Sequence, residues 1–510
     1  MDLQSLPDEV LLLMISYIED HKDALSLTLQ SRRLHALCEL PLRRRYRRVR
    51  ITSNKHIDNA FNLLLTILRK PRLGIWVRHI RVQRQPGVHG RYQPGPWQRA
   101  LGANDLSLLQ SATRNAGFTG QAEVTVMNML MEDTTKKPTS NGTRRSIFAT
   151  VSRPVFTGQA VAALLLTVCP NITSLTVGAH PTANLPMSRH LPGTRGEESH
   201  YPLIAFLRAL SDPATSPKPP SLQRLRAVTV LRTPRLPQGH AVTGFLHWMD
   251  LFRNLPDLIS LHADGISSAA IDSHIPQTSI IQELHISNSK LDTRSFTNAL
   301  CAIATLRKLT YTTGNYISTF VAAPDRFNLL TLIRCLLRHR ETLESLILDC
   351  DAQIGPTEDT NSRVPLYDER GGLPDNRSSN PPISTLWKES GSLRDFRALR
   401  EMTCSLHVFL ALARGVKEAS AGCGVGDEIS KEGGLGLPPA LKYLCVRGYE
   451  KGVCGEVDEE VNGLRGVLGE YADLEVEGLD GVVAAGLDLG PGDVVGDDEG
   501  IEEEWTDYEY

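Results

Sequence analysis

The chain has 510 residues, of which 41% are hydrophobic and 22% charged, and its formal net charge is −3. This composition excludes a largely disordered chain and leaves enough apolar residues for a sizeable core. At roughly 100–200 residues per domain, the length fits about two to four compact domains or one elongated repeat array. The near-neutral total argues against an obvious polyanion binder.

Positive and negative charges are unevenly distributed along the chain. After residue 450 there are 19 acidic and 2 basic residues, a net −17, so the first 450 residues carry +14. Eight arginines lie between Arg32 and Arg50, where Glu39 is the single acid. The two ends of the chain therefore differ from the middle in their electrostatics.

Cysteine usage and hydropathy indicate an intracellular chain. The 9 cysteines are odd in number and include no C-x-x-C pair, so we expect reduced structural thiols and no metal site. The longest clear apolar run, AVAALLLTV from Ala160, is far shorter than the ~20 residues of a membrane span. These features predict a soluble cytoplasmic or nuclear protein with no membrane partner and no cofactor.

Three short helices are predicted before residue 41. Ser5 and Asp8 form a helix-start signal, and Pro7 is tolerated in the first helical turn. Eight of the nine residues from Val10 to Ile18 are apolar, so this helix requires burial on more than one face. About forty residues cannot cover that much apolar surface alone, which implies a partner.

The segment LPDEVLLLMISYI followed by DALSLTLQSRRLHAL resembles an F-box in the order and spacing of its apolar, acidic and third-helix residues. The resemblance covers about residues 4–45. It implies docking on the adaptor subunit of an SCF-type ubiquitin ligase, and through that adaptor on a cullin. Many family members have Val-Cys and a Trp near the second and third helices, where this chain has Leu29, Gln30 and Leu34. The alternative is a small helical cap on the following domain.

The F-box resemblance also assigns roles to individual residues. By position, Leu6 and Pro7 would insert into the adaptor's groove. Five further apolar residues would divide between adaptor contact and the small internal core. These are Val10, Ile15, Ile18, Leu25 and Leu29.

The arginine-rich run after these helices has several interpretations. It is the solvated side of the third helix leading into a first strand at Val49 and Ile51, or a nuclear import signal, since five arginines lie between Arg43 and Arg48. Nucleic-acid binding is disfavoured because no zinc, RNP or helix-turn-helix pattern accompanies the charge. The patch would favour encounter with an acidic partner surface.

A six-residue phrase recurs nine times between residues 70 and 450: apolar, two variable, apolar, one variable, apolar. The most complete copy, IQELHISNSKL, places Ser289 where a leucine-rich repeat has Asn. The phrase resembles a leucine-rich repeat and predicts a curved sheet of parallel strands with outer helices. The alternative is another α/β arrangement. The nine copies begin at Val77, Ile172, Leu225, Leu258, Ile281, Leu306, Leu343, Leu399 and Leu441.

The predicted fold class is therefore α/β, with three domains. Residues 1–48 form the F-box, 49–455 an irregular leucine-rich-repeat-like solenoid, and 456–510 an acidic, largely disordered tail with one possible helix. Polar insertions rich in Gly, Pro and Ser interrupt the solenoid and are predicted to be surface loops. They lie at 132–145, 178–202, 211–221, 351–382 and 415–438.

The predicted function is that of a non-catalytic substrate-recognition subunit. The chain has no P-loop, no H-E-x-x-H zinc motif, no G-x-S-x-G nucleophile elbow and no kinase motif set. We therefore expect no catalytic residue, and a repeat domain that holds an unidentified target protein. The alternative is a scaffold that pairs with the adaptor outside any ligase.

Overall fold

The computed structural model is described here over most of the predicted helical and repeat regions. The described residues are 6–18, 21–38, 46–82, 92, 94, 98–133, 144–178, 201–211, 221–231, 241–252, 254–267, 279–289, 291, 293–313, 329–350, 386, 389–415, 437–452, 455–469, 471 and 473–479.

The central element is an 11-stranded sheet in which every neighbouring pair is parallel. Its strands follow one another in chain order, interrupted only by a separate two-stranded pair, β5 with β7. The strands are β1 Arg48–Ile51, β2 His79–Val82, β3 Ser174–Gly178, β4 Ala227–Leu231, β5 Ala241–Gly244, β6 Ser260–Asp264, β7 Ile266–Ser267, β8 Glu283–Ser287, β9 Lys308–Thr312, β10 Ser345–Asp349, β11 Glu401–Ser405, β12 Tyr443–Arg447 and β13 Glu475–Glu477.

Helices precede the sheet and connect many of its strands. They are α1 Asp8–Tyr17, α2 His21–Thr28, α3 Arg32–Cys38, α4 Asn54–Arg69, α5 Ala103–Asn115, α6 Gln121–Leu130, α7 Arg144–Val168, α8 Pro202–Ser211, α9 Phe245–Phe252, α10 Thr293–Ala302, α11 Leu329–Leu337, α12 Leu406–Arg414 and α13 Gly455–Leu468. Two 3-10 segments, Pro71–Trp76 and Leu393–Asp395, also lie in the described part of the chain.

The strands confirm the α/β prediction. Each of the nine apolar phrases coincides with one parallel strand of the large sheet, and the strand predicted at Val49 and Ile51 is β1. Corresponding anchors of successive phrases pair in register, as Leu261 does with Leu284 and Leu284 with Leu309. A sheet whose strands add one by one in chain order is the arrangement of a solenoid-like α/β fold.

Alternate strand residues build the core. In β8, Leu284 and Ile286 are fully buried, while the residues beside them are partly exposed. Because strand side chains alternate between the two faces of a sheet, one face of each strand is apolar. This apolar face forms one continuous cluster with the buried sides of the helices. The other face carries mostly polar side chains, with exceptions such as Ile347 of β10.

The boundary of the repeat region differs from the predicted one. Helix α13 and strand β13 follow residue 455, and β13 pairs parallel with β12. The sheet therefore continues through residue 477, and the tail cannot begin at residue 456. The register explains why this strand escaped prediction: it places Asp473 and Gly478 opposite the phrase anchors Leu441 and Val446.

Several other elements were also not predicted. Helices α5 and α6 lie between β2 and β3, and the β5–β7 pair flanks β6. The predicted insertion loops fall mostly outside the described residues, as does the tail after residue 479. Within the described part of the chain, no helix is both long and apolar enough to cross a membrane.

Candidate functional site

Helix α1 exposes a broad apolar surface. Leu11 and Ile15 are buried, at 2% and 1% exposure, on the side of the helix that faces the protein. The remaining apolar side chains cannot share that side, because successive residues of a helix point in different directions. We call the exposed set the α1 apolar surface. It consists of Val10 at 40% exposure, Leu12 at 40%, Leu13 at 57%, Met14 at 45% and Tyr17 at 63%.

The predicted docking residues divide between this surface and the interior. Pro7 is exposed, Leu6 and Ile18 are partly exposed, Val10 belongs to the α1 apolar surface, and Leu29, just after α2, is 79% exposed. Ile15 is part of the main core cluster, so of the two roles expected for these apolar residues it takes internal packing. Leu25 lies in α2, and its side chain is outside the described residues.

An ion pair fixes the start of α1 against α3. The guanidinium of Arg33 donates from Nε and Nη2 to Asp8 Oδ1, at 2.9 and 2.5 Å, and from Nη2 to the backbone oxygen of Leu6 at 2.8 Å. Both side chains are half exposed, so the ion pair itself contributes little to stability. Its effect is to set the position of Leu6 and Pro7 relative to α3.

The other end of α1 meets the repeat region. The guanidinium carbon of Arg224 lies 4.7 Å from the ring centroid of Tyr17, within the range of a cation–π contact. Arg224 belongs to the turn that precedes β4. The α1 apolar surface is therefore held next to the sheet-forming part of the chain at one end, while Leu13 and Met14 are 57% and 45% exposed.

The second candidate surface is the polar face of the sheet, formed by the first, third and fifth residues of its strands. Its charge changes sign from one edge to the other. Cations dominate at β1 and β2, with Arg48, Arg50 and Arg81, whereas exposed carboxylates mark β11 and β13. Those acids are Glu401, Glu475 and Glu477. The face therefore has a basic edge and an acidic edge.

The basic edge is dense enough to perturb a histidine. His79 on β2 pairs in register with Arg48 on β1. Burial, together with the charges of Arg47, Arg48 and Arg78, lowers the pKa of His79 to about 3. His79 is consequently neutral at physiological pH and adds no cation to this edge.

At the centre of the polar face, two histidines stack. The rings of His262 on β6 and His285 on β8 have centroids 4.3 Å apart and planes tilted by 15°. His262 Nε2 lies 2.8 Å from Ser260 Oγ, and His285 Nδ1 lies 3.1 Å from Thr310 Oγ1. Burial lowers the pKa of His262 to about 3 and that of His285 to about 4, so both rings are neutral at pH 7.

The histidine pair was missed at the sequence level, although a signal was present. His262 and His285 occupy the same variable position of two consecutive phrases, between the two strand anchors. Equal positions of adjacent parallel strands lie side by side, so the pairing follows from the repeat register.

Hydrogen bonds connect the carboxyl ends of β6 and β8. Asp264 Oδ1 accepts hydrogen bonds from Ser287 Oγ at 3.1 Å and from Asn288 Nδ2 at 2.9 Å. Asn288 has a positive φ of 47°, which Asn tolerates better than most residues. Ser289 is fully buried, and its Oγ accepts from the backbone N–H of Ile266 at 3.0 Å. Ser289, which takes the Asn position of the repeat phrase, thus links the segment after β8 to the start of β7.

The described residues contain no group of three or more His, Cys, Asp or Glu side chains that could hold a metal ion. Compared with known proteins, the chain matches no family model and no curated protein sequence.

Proposed function

We propose that this chain is the substrate-recognition subunit of an SCF-type E3 ubiquitin ligase. In this proposal α1–α3 act as an F-box that docks on the adaptor and thereby on a cullin, and the leucine-rich-repeat-like sheet binds a target protein. The observation that carries the proposal is the α1 apolar surface. The chain itself performs no bond chemistry, and it works in the cytoplasm or the nucleus.

Burial supports a docking role for α1. Isolated exposed apolar side chains are common, but several contiguous ones on one helix mark a surface that another molecule covers. Leu12, Leu13, Met14 and Tyr17 are neighbours on α1, and each is at least 40% exposed. A helix that exposes such apolar anchors suits a helix-in-groove contact.

The polar face supports target binding in the same proposal. Its basic and acidic edges would favour partners with the complementary charge order and would disfavour others by like-charge contact. Holding a target there raises the effective concentration of its lysines near the ubiquitin-loaded conjugating enzyme of the ligase. No catalytic group on this chain is needed for that acceleration.

The test is co-purification of the adaptor and the cullin with the tagged full chain. Leu13→Asp places a charge in the centre of the α1 apolar surface. Val124→Asp is the matched control, because Val124 is 51% exposed on α6. We expect adaptor and cullin with the wild type and with Val124→Asp, and neither with Leu13→Asp. Recovery of the adaptor without the cullin would support the scaffold function instead. Undiminished recovery of the adaptor with Leu13→Asp would contradict the docking model.

A further inference from the structure

The basic edge of the polar face holds like charges side by side. Arg50 on β1 and Arg81 on β2 are paired in register, so their side chains leave the same face of the sheet about 5 Å apart. Arg48, two residues before Arg50, lies on that face as well, and all three arginines are partly exposed. Like charges at paired positions repel one another and destabilise a sheet. An anion bound at this edge therefore stabilises the folded chain.

The strands beside the basic edge supply no neutralising charge. Strands β1, β2, β3 and β4 contain no Asp or Glu. Thr176 on β3 is the residue paired with Arg81, so a hydroxyl group follows the arginines on the polar face. The charges of three arginines help to lower the pKa of His79, which lies on the same face. A guanidinium has five N–H donors, so one that already has a contact in the folded chain can also bind a carboxylate.

The acidic charge of the chain is concentrated after the last strand. Residues 480–510, which we call the acidic segment, contain 11 Asp and Glu and no Lys or Arg, and eight of these acids lie between Asp497 and Glu509. The acidic segment begins just after β13, where Glu475 and Glu477 already carry negative charge. Like-charge repulsion disfavours its contact with that edge of the sheet, whereas opposite charge favours its contact with the basic edge.

The acidic segment is long enough to reach the basic edge of its own chain. Ten strand-to-strand steps lead from β13 to β1, and at about 4.8 Å each they span roughly 48 Å. Asp497 is 18 residues beyond Leu479, and 18 residues of extended chain span up to about 60 Å. The acids from Asp497 onward are therefore within reach of β1 and β2 in the same molecule.

We propose that the acidic segment docks on the basic edge of its own chain, with its carboxylates bound by Arg48, Arg50 and Arg81. Carboxylates are the groups that guanidinium binds with paired, charge-assisted hydrogen bonds. The acidic segment then occupies the part of the polar face that an acidic partner would bind, and such a partner has to displace it. The contact joins two parts of one chain and requires neither an adaptor nor a ligase, so it stands apart from the proposed function.

The first experiment turns charge contacts into covalent links in the full chain. Arg50→Lys/Arg81→Lys keeps both positive charges and supplies amines, which a water-soluble carbodiimide couples to carboxylates in direct contact with them. We expect peptide mass spectrometry to find links from positions 50 and 81 to residues 497–509. In a mixture of isotope-labelled and unlabelled chains, these links should lie within one copy.

Two native lysines serve as controls. Lys308 lies 3.1 Å from Glu283, so a link between them shows that the coupling works. Lys442 is exposed next to β12, close to where the acidic segment begins, and it reports links that arise from proximity alone. Absence of links to positions 50 and 81, links to Lys442 that are equally frequent, or links that join two copies would overturn the proposal.

The second experiment measures whether the acidic segment covers the basic edge. The probe is a fluorescent ten-residue polyglutamate peptide, titrated into the full chain at low salt, where charge contacts are least screened. A variant with the eight acids between Asp497 and Glu509 changed to Asn or Gln should bind the peptide at least about tenfold more tightly than the wild type, because the internal competitor is lost. Equal affinities would overturn the proposal.

Charge reversals in the neutralised variant locate the peptide. Arg50→Glu/Arg81→Glu should abolish binding, whereas Lys70→Glu/Arg72→Glu, which changes the charge equally at two exposed residues after α4, should preserve it. Loss of binding with both pairs, or with neither, would contradict docking at the basic edge. Circular dichroism shows whether each variant folds. The comparison of the wild type with the neutralised variant leaves the arginines intact, so it tests the proposal even if an arginine variant does not fold.

Discussion

Acid should destabilise the protein through its stacked histidines. His262 and His285 have pKa values of about 3 and about 4 in the folded chain, because burial opposes their protonation. In the unfolded chain each imidazole returns to its usual pKa of about 6.5. Between about pH 6.5 and about pH 4, the unfolded state therefore binds more protons than the folded state. Stability is present above this window and is lost as the pH falls through it.

The size of the effect follows from the two pKa values. Between pH 7 and pH 5, each histidine should lower the free energy of unfolding by up to about 2 kcal/mol, and the pair by up to about 4 kcal/mol. Neither ring is fully exposed, and the hydroxyls of Ser260 and Thr310 lie within hydrogen-bonding distance of the neutral rings. A loss of this size is a large share of the stability of an ordinary domain.

The assay is urea unfolding at pH 7, 6 and 5. The test variant is His262→Gln/His285→Asn, because Gln places an amide near the position of Nε2 and Asn places one near Nδ1, the two ring atoms beside the hydroxyls. Its unfolding free energy should fall less steeply with pH than that of the wild type. His407→Gln, which removes an exposed imidazole on α12, is the control. Equal pH slopes for the wild type and the double variant would refute the reasoning.

Three further outcomes test the packing of the sheet. Leu284→Ala, at a fully buried anchor of β8, should cost about 2–5 kcal/mol in urea unfolding, and a cost near zero would contradict the core assignment. Ser289→Ala removes the acceptor for the Ile266 N–H and should cost about 1–3 kcal/mol, measured in the same way, whereas unchanged stability would argue against the link between β7 and the segment after β8. Truncation after residue 479 should leave a cooperatively folded chain, but truncation after residue 454 should lower the thermal midpoint, because it removes α13 and β13. Equal midpoints would place these elements outside the sheet domain.

The strands were predictable because their signal is local. Each phrase contains two apolar residues that point into the core and one apolar residue that precedes the strand. The phrase recurs nine times along the chain. Strand β13 lacks the signal, since Asp473 and Gly478 take the positions that Leu441 and Val446 hold one strand earlier. Strand β13 pairs with the neighbouring strand β12. Nothing in the sequence of β13 itself indicates that β12 is there to pair with.

The candidate surfaces were only partly predictable. An apolar run such as the one from Val10 to Ile18 shows that α1 needs burial, but the direction of burial depends on how α3 packs against it. The structure buries Ile15 and exposes Leu13, which no local pattern distinguishes. Contacts such as that of Tyr17 with Arg224 join residues far apart in sequence, and only the folded chain brings them together.

The central claim is that the α1 apolar surface binds the adaptor. The most direct measurement is the affinity of purified adaptor for the purified full chain, compared among the wild type, Leu13→Ala/Met14→Ala and Val124→Ala. Truncating two anchors of a docking helix should raise the dissociation constant at least about tenfold, while the control on α6 should leave it unchanged. No binding by the wild type, or equal affinity for all three proteins, would contradict the claim.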